Sequence, residues 1–199
     1  MSIQTRRERE RADRERLIIE TARDLAESEG WDAVTTRRLA QEIEYSQPVL
    51  YSHFNGKTAI MTAVAVEGCT ILTALLRTAR ASASTPRDVL SAVGTAYADF
   101  AEERPALYDA MFTHAVDLPF ATAEAPLPLQ EAFGELREAI RPLAGADDLD
   151  VLTETWWAGL HGLVTLMRDG RLLREHQQLR LATMIGRFAE IPGSGKDQA

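Results

Sequence analysis

Along most of this chain, apolar residues recur at three- and four-residue spacings, the period that gathers them on one face of an α-helix. Ile18, Ala22, Leu25 and Ala26 do so over residues 13–29, and Gly30 follows as a C-terminal stop. Leu39, Ala40 and Ile43 mark a second, shorter helix, with Thr35 or Thr36 placed to cap its first free amides. After a break at Glu44-Tyr45-Ser46, Pro48 suits the first turn of a third helix, where its missing N–H is not needed. Leu50 and Phe54 then point inward, and Trp31 and Val34 pack as core against Leu39 and Phe54, closing a three-helix head. A long helix is expected over residues 58–81, with Ile60, Val64, Ile71, Leu72 and Leu75 apolar. Further helices are expected over 86–103, 105–112, 126–143, 149–169 and 176–191, with a loop at 114–125 and a frayed tail at 192–199. No alternating strand pattern appears, so the fold class is all-α.

The second and third helices carry the chemistry. Gln47, Pro48, Val49, Tyr51, Ser52 and His53 lie on the outer or leading side of the third helix. A short helix presenting an amide, a phenol and an imidazole suits reading of a DNA major groove. The stretches T-T-R-R-L-A-Q (35–41), Q-P-V-L-Y-S-H (47–53) and L-Y-S-H-F-N-G-K (50–57) resemble the helix-turn-helix signature of TetR-family transcriptional regulators. The resemblance covers roughly residues 14–60 and implies a DNA-contacting set of Thr36, Arg37, Ser46, Gln47, Pro48, Val49, Tyr51, His53 and Lys57. Within it, Tyr51, His53 and Lys57 match positions that touch the DNA backbone, and Gln47 and Arg37 match positions that read bases. One departure concerns the turn, where the family often has glycine followed by Val or Ile and this chain has Glu44 and Tyr45. If left-handed geometry is needed there, a non-glycine residue costs up to about 1 kcal/mol.

In the second half, T-W-W-A-G-L-H-G-L-V-T-L (155–166) and R-P-A-L-Y-D-A-M-F (104–112) resemble the C-terminal domain of a TetR subgroup named for a Trp-His-Gly motif. That resemblance implies a homodimer built from the last two helices, and a small-molecule pocket. Small residues at Ala158, Gly159 and Gly162 permit close helix approach, and Leu181, Met184, Ile185 and Phe188 make an apolar stripe. The stripe fits a dimer bundle; it fits the core of a single subunit as well. Tyr97, Phe100, Tyr108, Phe112, Trp156 and Trp157 offer pocket walls, and His114 and His161 offer polar contacts, although either histidine also suits a core position. Such walls favour an apolar or cationic aromatic effector. The expected organisation is a DNA-binding head at 1–57, a ligand-binding and dimerisation domain at 58–191 and a flexible tail at 192–199.

Charge qualifies this picture. The chain has 22 basic and 30 acidic residues, a net of −8, whereas a DNA-binding domain is usually basic. Residues 1–57 hold 10 basic and 11 acidic groups, so affinity for phosphate must come from local arrangement. The first sixteen residues hold six arginines against four acids; residues 1–12 read as a flexible arm, although the alternation of Arg and Glu from Arg6 to Arg16 suits an exposed helical face equally well. Cys69 is the sole cysteine and reads as core, in keeping with a reducing cytoplasm. No run of eighteen apolar residues suggests a membrane span. Gly193-Ser194-Gly195-Lys196 lacks the earlier glycine of a phosphate loop, since Glu190 stands there. His114 and Asp117 could share a helical turn as metal ligands, but they fall at the start of a loop. The expectation is therefore a cytoplasmic, cofactor-free, non-enzymatic regulator, a repressor released from a palindromic DNA operator by a small molecule. The alternative is an all-helical protein- or lipid-interaction module, which would show an exposed apolar stripe over 47–53 instead of a polar one.

Overall fold

The computed structural model describes residues 3–114, 118–119, 122 and 124–189. Its regular elements are all helical. They are α1 (Ile3–Glu29), α2 (Thr36–Glu42), α3 (Gln47–Tyr51), α4 (Gly56–Ala81), α5 (Pro86–Glu103), α6 (Pro105–Asp109), α7 (Leu127–Ile140), α8 (Leu149–Arg168) and α9 (Gln177–Ala189). A π-helical turn, Ala110–His114, continues α6, and short 3₁₀ turns follow α7 and precede α9. The phosphate-loop-like residues 193–196, the expected tail and Asp117 lie outside the described residues. The helical period thus locates the elements well, with one correction. Residues 3–12, read first as a flexible arm, continue α1 without a break. Charge pairs one helical turn apart, Arg6 with Glu10 and Arg11 with Glu15, support that continuation.

The chain forms two compact units. The first comprises residues 1–69 and 104–126. Its core gathers Ile18, Ala22, Trp31, Val34, Leu39, Leu50, Ile60 and Val64, all buried. Thr35 caps α2 by accepting the Arg38 amide at 3.1 Å. α2 then ends in a Schellman motif, in which Tyr45 N–H donates to Ala40 O and Glu44 N–H to Gln41 O. Glu44 takes φ +56°, so the left-handed turn is made by a residue with a side chain, at about 1–2 kcal/mol relative to right-handed backbone. The turn is kept because the motif satisfies the last carbonyls of α2.

Two side chains, Glu27 and Trp31, fasten α6 to this head, and Lys57 holds the Trp31 backbone. Glu27 accepts the Ala106 and Leu107 amides at 3.1 and 3.0 Å, occupying the first free donors of α6. The Trp31 indole N–H donates to Ala106 O at 2.8 Å, and the Lys57 ammonium donates to the Trp31 carbonyl. The π turn packs on α4 at Gly68, where a Cβ would stand 2.7 Å from Met111 Sδ and 3.1 Å from Leu107 Cδ1. A side chain at Gly68 would therefore require the Met111 thioether to shift.

The second unit comprises residues 70–103 and 127–199, with the second half of α4, α5, α7, α8 and α9. Leu90, Val93, Tyr97, Phe100, Leu136, Ile140, Trp156, Leu160, Val164, Leu181 and Ile185 make its core. Thr85 and Asp148 cap α5 and α8. Glu135 is buried, and its two carboxylate oxygens accept Arg77 Nε at 2.7 Å and Arg80 Nε at 2.9 Å, tying α7 to the end of α4. Helix α4 is long and apolar enough to cross a membrane by length and composition. Its Ile60, Val64, Ala65, Leu72 and Leu76 are nevertheless core residues, and that explains the apolarity. Cys69, also on α4, is buried, and burial pushes its thiol up to about 12, which keeps it protonated and unreactive.

Candidate functional site

The surface around α3 combines exposure with fixed geometry. Ser46, Gln47, Pro48, Val49 and Tyr51 are exposed, while Leu50 on the opposite side is fully buried and anchors the helix. Tyr51 Oη lies 3.5 Å from Thr36 Oγ1, so the start of α2 and the end of α3 meet at one edge. Arg37 is exposed at the first turn of α2, with no carboxylate within ion-pair distance among the described residues. Arg38 next to it is committed to Glu42 at 2.7 Å and Glu29 at 3.2 Å. Arg37, Ser46, Gln47, Pro48, Val49 and Tyr51 thus form one outward-facing surface, with Thr36 half-buried at its edge.

Two members of the expected set face elsewhere. The His53 side chain is only 5% exposed, and its Nδ1 lies 3.3 Å from Glu15 Oε1 on α1. Lys57, half-buried, holds the Trp31 carbonyl. Both therefore have partners inside the head. Sequence spacing gave no sign of Glu15, a charged residue in a polar stretch, as the histidine's partner.

The expected pocket residues divide between the units. In the first, Tyr108 is buried with its ring 4.7 Å from that of Phe112, and His114 is exposed, 6.4 Å from the Trp31 ring. In the second, Tyr97 and Phe100 are buried, and the half-buried Trp157 donates its indole N–H to Tyr97 Oη at 3.1 Å. The His161 ring lies 6.2 Å from that of Trp157. Burial, and secondarily the Arg168 charge, hold the His161 pKa below the usual imidazole range, so this wall is polar but neutral. Trp156 is fully buried, edge-on to Phe188 with ring centroids 5.3 Å apart. Its indole N–H has no acceptor among the described residues.

An apolar depression in this unit lies elsewhere, along Ala98, Leu160, Leu163, Val164, Met167 and Leu181, with Gln177 and Arg180 at its rim. Its free volume of about 20 Å³ is far below that of a small-molecule site. None of the eight expected pocket residues lines it.

The last two helices present two faces. Leu181 and Ile185 are buried in their own chain, Phe188 packs on Trp156, and Met184 Sδ sits where a Cβ on Gly159 would stand, 2.7 Å away. Ala158 and Gly162 lie on the other side, with Val151 (60% exposed), Thr155 and Leu166 (39%) along α8. Leu179 (66% exposed), Ala182 and Thr183 are exposed on α9. A Cβ at Gly162 would meet nothing within 4 Å, so its own chain does not require that glycine.

Comparison with known proteins decides the family. Residues 18–64 match the model for "Bacterial regulatory proteins, tetR family", and residues 90–188 match that for "Tetracyclin repressor-like, C-terminal domain". The chain belongs to the TetR family. It is a helix-turn-helix DNA-binding transcriptional regulator, and the family is non-enzymatic. An uncharacterized HTH-type transcriptional regulator of Bacillus subtilis, YobS, is 26% identical over 172 residues, which is 83% of this chain and 84% of that one. The class D tetracycline repressor of Escherichia coli is 44% identical, but over 50 residues, 25% of this chain and 23% of its own. Among solved structures, a protein of unknown function from Rhodococcus sp. RHA1 superposes with a TM-score of 0.74 at 23% identity, covering 88% of this chain and 93% of that one. The TetR-family regulator PfmR of Thermus thermophilus superposes at 0.61 with 18% identity, covering 90% and 99%. These structural likenesses speak to the TetR fold alone.

Proposed function

We propose that this regulator is a homodimeric repressor whose α3 helices read a palindromic operator and which a small molecule releases. The observation that carries the DNA-reading part is the exposed surface of Arg37, Gln47 and Tyr51 on a helix pair locked by the Schellman turn and the buried Leu50. Gln47 pairs with adenine and Arg37 with guanine, while Tyr51, Thr36 and Ser46 position the head on the backbone. His53 and Lys57 support the surface from behind. The head is residues 1–57 in this reading, with effector binding and dimerisation in 58–191.

Selection of duplexes from a random library by the full-length protein tests the reading. Wild type selects an inverted repeat with half-sites one helical turn apart, about 34–36 Å. Gln47→Ala loses discrimination at one position per half-site, worth about 1–3 kcal/mol. A selected motif identical to wild type would remove Gln47 from base reading.

The effector reading rests on the neutral group of Tyr97, Trp157 and His161, in the part of the chain that resembles the Trp-His-Gly subgroup. These three groups are themselves uncharged, and the Arg168 charge that acts on His161 is too little to balance a multiply charged anion, so an apolar or cationic aromatic compound fits better than a phosphorylated one. Such a ligand quenches tryptophan fluorescence while releasing the operator. Trp157→Phe loses most of the quench, and Trp156→Phe, altered at a core position, keeps it. Release by phosphorylated metabolites alone overturns this assignment.

The exposed Val151, Thr155, Ala158 and Leu166, with the half-buried Gly162 between them and Leu179 and Thr183 on α9, form the dimer face in this reading. Small residues there let two helix pairs close into a bundle.

A further inference from the structure

We propose that the N-terminal part of α1 is a rigid basic arm whose Arg7 and Arg14 bind backbone phosphates flanking the operator; the inference rests on the DNA-reading assignment above. Arg7, Arg11, Arg14 and Ile18 follow one another at intervals of four, three and four residues, so they share one helical stripe. Ile18 is fully buried against the head, which sets the direction of the whole stripe. Contacts fix the same register. Arg11 reaches the Ser52 carbonyl at 3.5 Å and Glu15 at 2.9 Å, and Glu15 is the partner of His53. The arm is therefore held against the residues that immediately follow α3. At 1.5 Å per residue, Arg7 lies about 6 Å along the axis beyond Arg11.

The charges on this segment are mostly spoken for. Arg6 pairs with Glu10, Arg11 with Glu15, and Arg16 with Asp13. Arg7 and Arg14 are exposed, and among the described residues neither has a carboxylate within ion-pair distance, although both lend positive charge to Glu10. These two cations on the head-facing stripe meet the need set by an acidic chain, whose phosphate affinity must be local. Being helical, the arm forgoes most of the ordering cost that a disordered tail meets on binding.

The test uses the full-length protein and its library-selected operator, as a bare site and with about ten further base pairs, one helical turn, on each side. Wild type binds the longer duplex more tightly. For Arg7→Ala with Arg14→Ala, that advantage disappears and the salt slope falls by about 0.9 per arginine per head. The selected motif stays the same, because phosphate contacts carry no sequence information. The double lysine variant, Arg7→Lys with Arg14→Lys, keeps both the advantage and the slope. An alanine variant with wild-type slope and length dependence overturns the arm while leaving the α3 reading intact, and a changed motif overturns it as a phosphate contact. Wild type that selects no duplex at all overturns the DNA-reading assignment and the arm with it.

Discussion

Replacing Ile185 with Asp is expected to unfold the second unit, whereas replacing Ala158 with Arg leaves the unit folded and separates the proposed dimer. The two positions lie on adjacent helices, and small size at Ala158 and the apolar stripe at Ile185 would place both in a bundle interface on sequence alone. Ile185 is 3% exposed within its own chain, and an unpaired carboxylate there has an effective burial cost of several kcal/mol, roughly the stability of a small domain. Loss of the cooperative urea transition and of helical circular dichroism is the result to look for. Ala158 faces outward, and an arginine there stays solvated in the lone protomer, so its unfolding curve remains near wild type. In the dimer the same side chain would be forced between two helix pairs. Sedimentation should then give a monomer, and operator affinity should drop by roughly 10²–10⁴, because two linked half-site contacts become independent. A stable Ala158→Arg dimer with wild-type operator affinity would place the interface on another surface.

The contrast shows what the chain's own pattern can and cannot reveal. Helical period identifies nearly every element, because a 3.6-residue repeat of apolar groups has no other stable use in a chain that folds in water. It gives the existence of a buried face without naming what covers it. The stripe of Leu181 and Ile185 therefore suited a partner subunit as well as the molecule's own α5 and α8, and the structure turns it inward. On the outer seam, Ala158 and Gly162 are legible by their small size, whereas Thr155 is polar and carries little hydrophobic signal. In the head, the motif located the reading surface, but His53 and Lys57 have partners, Glu15 and the Trp31 carbonyl, that lie 38 and 26 residues away in sequence. Such distant pairings have no local signature. For the basic N-terminus, composition suits a solvated arm and the Arg and Glu alternation suits a helical face; pairs spaced by four residues accompany the helix that the structure has there. Ring content marks the expected pocket residues in the sequence, but it says nothing about which of the two units each belongs to.

Trp31→Ala should be the most damaging substitution in the first unit. Trp31 is 7% exposed, and truncating a buried aromatic of this size costs about 3–5 kcal/mol through lost transfer energy and the cavity left behind. The change also removes the donor that Ala106 O accepts at 2.8 Å, and disturbs the backbone whose carbonyl holds Lys57. Trp31→Phe separates these effects, since it keeps most of the packing and loses only the indole N–H, worth about 0.5–1.5 kcal/mol. Glu27 still caps the first amides of α6 in both variants, so α6 itself should persist while its attachment weakens. Urea unfolding followed by circular dichroism and by amide exchange at Ala106 and Leu107 reads the series. The expected order of stability is wild type, then Trp31→Phe, then Trp31→Ala, with operator affinity falling in the same order as Lys57 and the start of α4 lose their anchor. A Trp31→Ala protein within about 1 kcal/mol of wild type would mean that the packing of Ile18, Val34 and Leu39 holds the head without this fastening.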